Sequence, residues 1–118
     1  MTHFLIAATV AAAVTAGGAQ SSRMPISQVV GCLTQSADGT FLLTDATEPV
    51  ATGGKGAKEP DAATPLGKRK IRLIGTVEEF GAAAHKGHKV RVRGLFIAAS
   101  PDARLNITSL RQLATTCP

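Results

Sequence analysis

Between residues 71 and 97 the hydrophobic positions read, in order, as a strand, a short helix, glycine punctuation and a second strand. The second strand alternates strictly. Val90 and Val92 fall on one face, and Lys89, Arg91 and Arg93 on the other, which is the period-two signature of a half-buried strand. Residues 71–74 (IRLI) form the preceding strand. Thr76 and Glu79 match a capping box, with Thr76 as N-cap and Glu79 at its third helical position, so a helix is predicted to run to about residue 84. Gly87 ends it. Gly94 permits a bend or bulge inside the second strand, as a small closed sheet requires.

The rest of the chain is arranged around this stretch. Residues 26–35 mix β-branched and small residues and read as a first strand. Asp38-Gly39 is a hairpin signal, because both residue types tolerate positive φ. A second strand follows from Phe41. Residues 46–68 change character: glycines, prolines, lysines and acids predict a long flexible insertion between strands. Past Pro101 and Asp102, a closing strand starts at Leu105, with Leu105 and Ile107 inward and Leu110 and Leu113 packing the tail toward Cys117. Asn106, Ile107 and Thr108 match a glycosylation acceptor, which within a strand is read as accidental.

The first 19 residues stand apart. Residues 4–16 (FLIAATVAAAVTA) form an apolar run too short to span a bilayer but suited to a signal peptide, and Gly17 and Ala19 supply small residues for cleavage. Residues 20–25 are a polar lead-in, and 26–118 is a single domain with no transmembrane segment after signal removal. The product is expected to be exported, periplasmic or extracellular. A lipid anchor at Cys32 is a minor alternative, since Val29–Cys32 (VVGC) resembles a lipobox but lies thirteen residues beyond the apolar run. In an exported chain, Cys32 and Cys117 are most simply one disulfide. Closing a loop of roughly 85 residues stabilises by about 4 to 5 kcal/mol in the chain-entropy account.

Composition adds two constraints. Aromatics are four Phe with no Trp or Tyr, so the core must be built from Val, Ile, Leu and Ala. The net charge is +5, which favours an anionic partner.

The order of two strands, a third strand, a helix and two further strands is that of the OB-fold, a five-stranded Greek-key barrel. The motifs at residues 30–33 (VGCL), 38–46 (DGTFLLTDA), 85–94 (HKGHKVRVRG), 105–110 (LNITSL) and 116–118 (TCP) resemble a group of small exported bacterial proteins of unknown function. Those proteins are related in pattern to periplasmic bacterial OB-fold proteins. The resemblance covers about residues 27–117 and implies the fold, not an activity. This chain departs from it in the insertion at residues 49–68.

Candidate chemistry is limited. Lys68, Lys70 and Arg72 recur at period two on one strand, and Lys89, Arg91 and Arg93 on another. Each set forms either a stripe for an anionic ligand or a solvated outer face; Lys70, Arg72, Lys89, Arg91 and Arg93 are the candidate anion contacts. With few aromatic stacking platforms, sequence-specific nucleic-acid binding is not expected. His85 and His88 supply too few ligands for a metal, even with Cys32 and Cys117 as further candidates. Neither a phosphate loop nor a Gly-x-Ser-x-Gly nucleophile is present, and Glu78 and Glu79 diverge by about 100° on a helix. No enzyme, no cofactor and no metal are therefore expected. The expected function is a binding or interaction module of the cell envelope, with an anionic ligand. The alternative is a structural or stress-related envelope protein that binds a protein partner.

Overall fold

The computed structural model describes residues 25–53 and 58–118. The export signal read over residues 1–19 lies outside them. The described chain is mainly β. Its strands are β1 (Ile26–Gln35), β2 (Phe41–Ala46), β3 (Val50–Ala51), β4 (Arg69–Ile74), β5 (Lys89–Ile97) and β6 (Ala103–Ala114). Hydrogen-bonded neighbours run β2-β4-β6-β5-β1-β3, and β1 also pairs with β2, so the ladders return on themselves in a ring. All pairings are antiparallel except β4 with β6.

Strand β1 makes this ring possible because it serves different partners along its length. Residues from Ile26 to Cys32 pair with β5, and those from Cys32 to Gln35 pair with β2. Gly31, next to the changeover, has room for no side chain without crowding the Cβ atoms of Leu43 and Ala46 at 3.2 Å. Inside the ring, Val29, Leu33, Leu43, Ile71, Val90, Val92 and Leu105 are fully buried, with Phe41, Leu73 and Ile107 nearly so. Each such aliphatic side chain contributes about 1.5 to 3 kcal/mol of transfer free energy. This is the Val/Ile/Leu core the composition requires.

Several local expectations change. The structure has six strands rather than five; the additional one is the two-residue β3, paired with Ser27 and Gln28 of β1. The helix from Thr76 does not form. In its place stand two 3-10 turns, Val77–Phe80 and Ala82–His85, and the Thr76 side chain makes no capping bond. Gly81 explains this: its left-handed backbone (φ 78°) ends the first turn after four residues. The hairpin is present, but its loop spans residues 36–40, with Gln35 opposite Phe41. Only Gly39 takes a positive φ there. Asp38 acts through its carboxylate, which accepts from the Ser36 hydroxyl and from the Thr40 amide at 3.0 Å.

Gly94 behaves as read. The β5–β6 register shifts between Arg93 and Gly94, and a Cβ at Gly94 would stand 2.2 Å from the Asn106 carbonyl oxygen. The bulge skips Thr108, so Ser109 and Arg111 come to lie beside Arg93 and Arg91. Cys32 and Cys117 form the expected disulfide, with Cα atoms 5.8 Å apart. Among the described residues, no helix is long and apolar enough to cross a membrane.

Candidate functional site

The alternation in β5 places the side chains as its period demands. Val90 and Val92 point into the core, and Lys89, Arg91 and Arg93 share the outer face. That face is covered over Lys89 and Arg91 and half-open at Arg93. Residues 58–64, the latter part of the insertion, lie across it as a strap, and Lys89 and Arg91 are buried to 4% and 6% exposure. The expectation of a flexible connection here meets a segment held by bonds at several points.

Glu59 is the centre of the arrangement. One carboxylate oxygen accepts from Arg91 Nη1 at 2.9 Å and from Arg111 Nη1, and the other accepts from Arg93 Nη2 at 2.7 Å. Three guanidiniums therefore converge on one carboxylate. Two further groups hold the arginines in place: Arg91 Nη2 donates to Ser109 Oγ at 2.7 Å, and Arg93 Nε donates to Gln28 Oε1 at 3.0 Å. Gln28 also donates from Nε2 to the Lys58 carbonyl at 3.1 Å. Lys89 Nζ donates to the carbonyls of Ala62 (2.8 Å) and Thr64. The strap has its own turn, in which Ala63 N donates to Asp61 Oδ1 at 2.8 Å and Asp61 N to Thr64 Oγ1 at 2.9 Å.

The electrostatics follow from this geometry. Partial burial raises the Glu59 carboxyl pKa. The Arg111 hydrogen bond and the charges of Arg91, Arg93 and Arg111 outweigh it and hold the group below its usual 4.5. Burial lowers the pKa of the Arg91 guanidinium, as does the charge of Arg93, and Glu59 acts against both. Arg91 remains a cation at neutral pH. Three cations thus face one carboxylate, and the local field is positive.

Lys70 and Arg72 are elsewhere, on the outer face of β4, opposite buried Ile71 and Leu73. Arg72 pairs in register with Arg104 of β6, and Arg72 Nε is buried with no hydrogen-bond partner. Among the described residues, Lys70, Arg72 and Arg104 form no ion pair. The five candidate anion contacts therefore divide into an uncommitted pair on β4 and a trio engaged by the strap. A shallow groove of about 560 Å³ opens beside the β4 group, bordered by Phe41, Arg72, Gly75 and Glu78.

His85 and His88 do meet, although Gly87 lies between them. Their Nδ1 atoms are 3.2 Å apart, and Gln112 Oε1 is 3.2 Å from His85 Nδ1. Among the described residues, no three of His, Cys, Asp and Glu come together for a metal ion, and both cysteines are in the disulfide. Of the scarce aromatics, Phe41 is buried and Phe80 and Phe96 pack against the core; the Arg69 guanidinium lies 5.2 Å from the Phe96 ring centre.

Sequence reasoning missed Glu59, Arg111, Arg104, Gln28 and Ser109. Arg111 and Ser109 reach β5 only through the Gly94 bulge, whose position was legible but whose effect on register was not. Glu59 carried a fainter signal: it is one of few acids in a chain with an excess of basic residues. No protein-family model, curated protein or solved structure matches this chain.

Proposed function

We propose that this chain is a small exported binding module of the cell envelope, built as an OB-like barrel, whose ligand is a polyanion. The observation that carries the reading is the cation excess on the outer face of neighbouring strands. Arg72 lies beside Arg104, and Arg91, Arg93 and Arg111 surround a single carboxylate. Like charges facing each other across a sheet destabilise it, and a bound anion would relieve that repulsion. The ring of ladders supports the barrel, and a disulfide supports an oxidising compartment. The motif resemblance to small exported OB-like proteins points the same way.

In this reading Lys70, Arg72 and Arg104 make the first contacts, because none of them is in an ion pair among the described residues. Arg91, Arg93 and Arg111 extend the same surface. Lys89 contributes charge but no direct contact, since its ammonium is directed at the Ala62 and Thr64 carbonyls.

The test is a salt titration of the protein binding fluorescein-labelled heparin, repeated with labelled polyphosphate. Affinity is expected to fall linearly on a log–log plot, with a slope of roughly 0.7 to 0.9 per contact. Replacing Lys70, Arg72 and Arg104 together by Gln is expected to flatten the slope by about 2 to 3 and leave the circular dichroism unchanged. Absence of binding to either polymer at low salt would overturn the reading in favour of a protein partner.

A further inference from the structure

The strap has three properties that a merely structural tie does not need. Its hold on the sheet is mostly polar: Pro60 is buried, but the bonds from Lys58, Glu59, Ala62 and Thr64 are hydrogen bonds and ion pairs. It leaves the arginine site open at one side, since Glu59 and Arg111 keep 43% and 53% of their side-chain surface and Arg93 keeps 34%. The guanidiniums also have supports independent of Glu59, because Ser109 fixes Arg91 and Gln28 fixes Arg93. If Glu59 left, Arg91 and Arg93 would remain aimed at the place its carboxylate had occupied, with Arg111 beside Arg91 in register.

We infer that Glu59 is an internal stand-in for one anionic group of the ligand, and that residues 58–64 form an autoinhibitory strap which a bound polyanion displaces. This rests on the polyanion reading above. Exchange begins at the exposed rim. A sulfate or phosphate ester of the chain engages Arg111 and Arg93 first, and its neighbours raise its effective concentration beside Glu59. It then replaces the carboxylate at Arg91, gaining charge-assisted hydrogen bonds of the kind that Glu59 gives up. No covalent change is involved. Because strap and ligand hold the same arginines by the same force, they compete directly. A polyanion already docked on Lys70, Arg72 and Arg104 competes better than a free monovalent anion.

Heparin binding by four proteins tests this: wild type, E59Q, the R91Q/R93Q/R111Q triple variant, and the two combined. Removing the stand-in is expected to tighten heparin binding about tenfold at low salt and to steepen the salt slope by roughly 2, as up to three further cations engage. In the background lacking the three arginines, E59Q is expected to change affinity less than about twofold, the residue of one general charge. Such a cycle isolates the pairwise coupling.

Equal or weaker binding by a folded E59Q protein, with wild type binding steeply in salt, would overturn the strap while leaving the polyanion reading intact. So would an equal gain with and without the arginines. No binding by any of the four would instead remove the polyanion reading itself. Should E59Q not fold, hydrogen exchange on the wild type decides. Saturating heparin is expected to speed exchange of the Gln28 side-chain amide, which donates to the Lys58 carbonyl, severalfold, and unchanged or slower exchange would overturn the strap. The same series with polyphosphate tells a sulfate from a phosphate ester as the displacing group.

Discussion

Asp38 and Glu59 show how differently two carboxylates are tuned on one small sheet. Glu59 is set by distant arginines, 32, 34 and 52 residues along the chain. Asp38 is set by its own hairpin loop. The Ser36 hydroxyl is the largest cause, followed by the Thr40 amide, and together they lower its carboxyl from the usual 3.8 to about 2. Because the folded pKa is depressed, the charged loop favours the native state above about pH 3.8, and that contribution is lost as pH falls toward about 2. A titration followed by the carboxyl carbon shift is expected to give about 2 for Asp38 in the wild type. In S36A the value should rise toward 3.8 while the Thr40 bonds still hold it below, and an unmoved value would show that the hydroxyl is not the largest cause. At this scale the sequence was informative about type and partly about role: Asp38 was recognised as a turn residue, but as one suited to positive φ rather than as a hydrogen-bond acceptor.

Elements were legible wherever the signal was local. Alternation in β5, the hairpin and the strand at residues 71–74 all rest on hydrophobic period and turn chemistry, and all are present. The helix failed because a capping box needs a helix to cap, and Gly81 closes the turn too early. The cover on β5 was invisible for another reason. It is made of polar contacts between the insertion and strands far away in sequence, and no periodicity encodes these. The Gly94 bulge is the element on which the site depends, because it sets which β6 residues stand beside Arg91 and Arg93. A side chain there meets backbone, not a movable neighbour, at 2.2 Å. Gly94→Val is therefore expected to destabilise by about 1 to 3 kcal/mol or more in urea unfolding. A loss below about 0.5 kcal/mol, the range of ordinary surface changes, would mean that the close approach to Asn106 is easily relaxed.

For the molecule as a whole, the disulfide fixes what the ladders leave free. Cys32 sits where β1 passes from one partner to the other, opposite both Lys89 and Thr44, while Cys117 lies just beyond the end of β6. The bond spans 85 residues of sequence and so closes a loop that holds β2 through β6, with Ile26–Gly31 of β1 paired to it from outside. In the unfolded chain a cross-link of that span removes conformational freedom worth about 4 to 5 kcal/mol. For a domain of this size, each kcal/mol moves Tm by about 4 to 8 °C, so reduction is expected to lower Tm by on the order of 15 °C or more. Cys32 is only 6% exposed, so the bond should resist reductant until the sheet opens. C117S offers a second route to the same state without reductant, and its Tm should match that of the reduced wild type within about 5 °C, the equivalent of roughly 1 kcal/mol. A matching fall in both would place the effect in loop closure. A fall in C117S alone would assign it to local packing around the β6 tail, and no fall in either would mean that the β1–β5–β6 ladders already hold the chain ends without the bond.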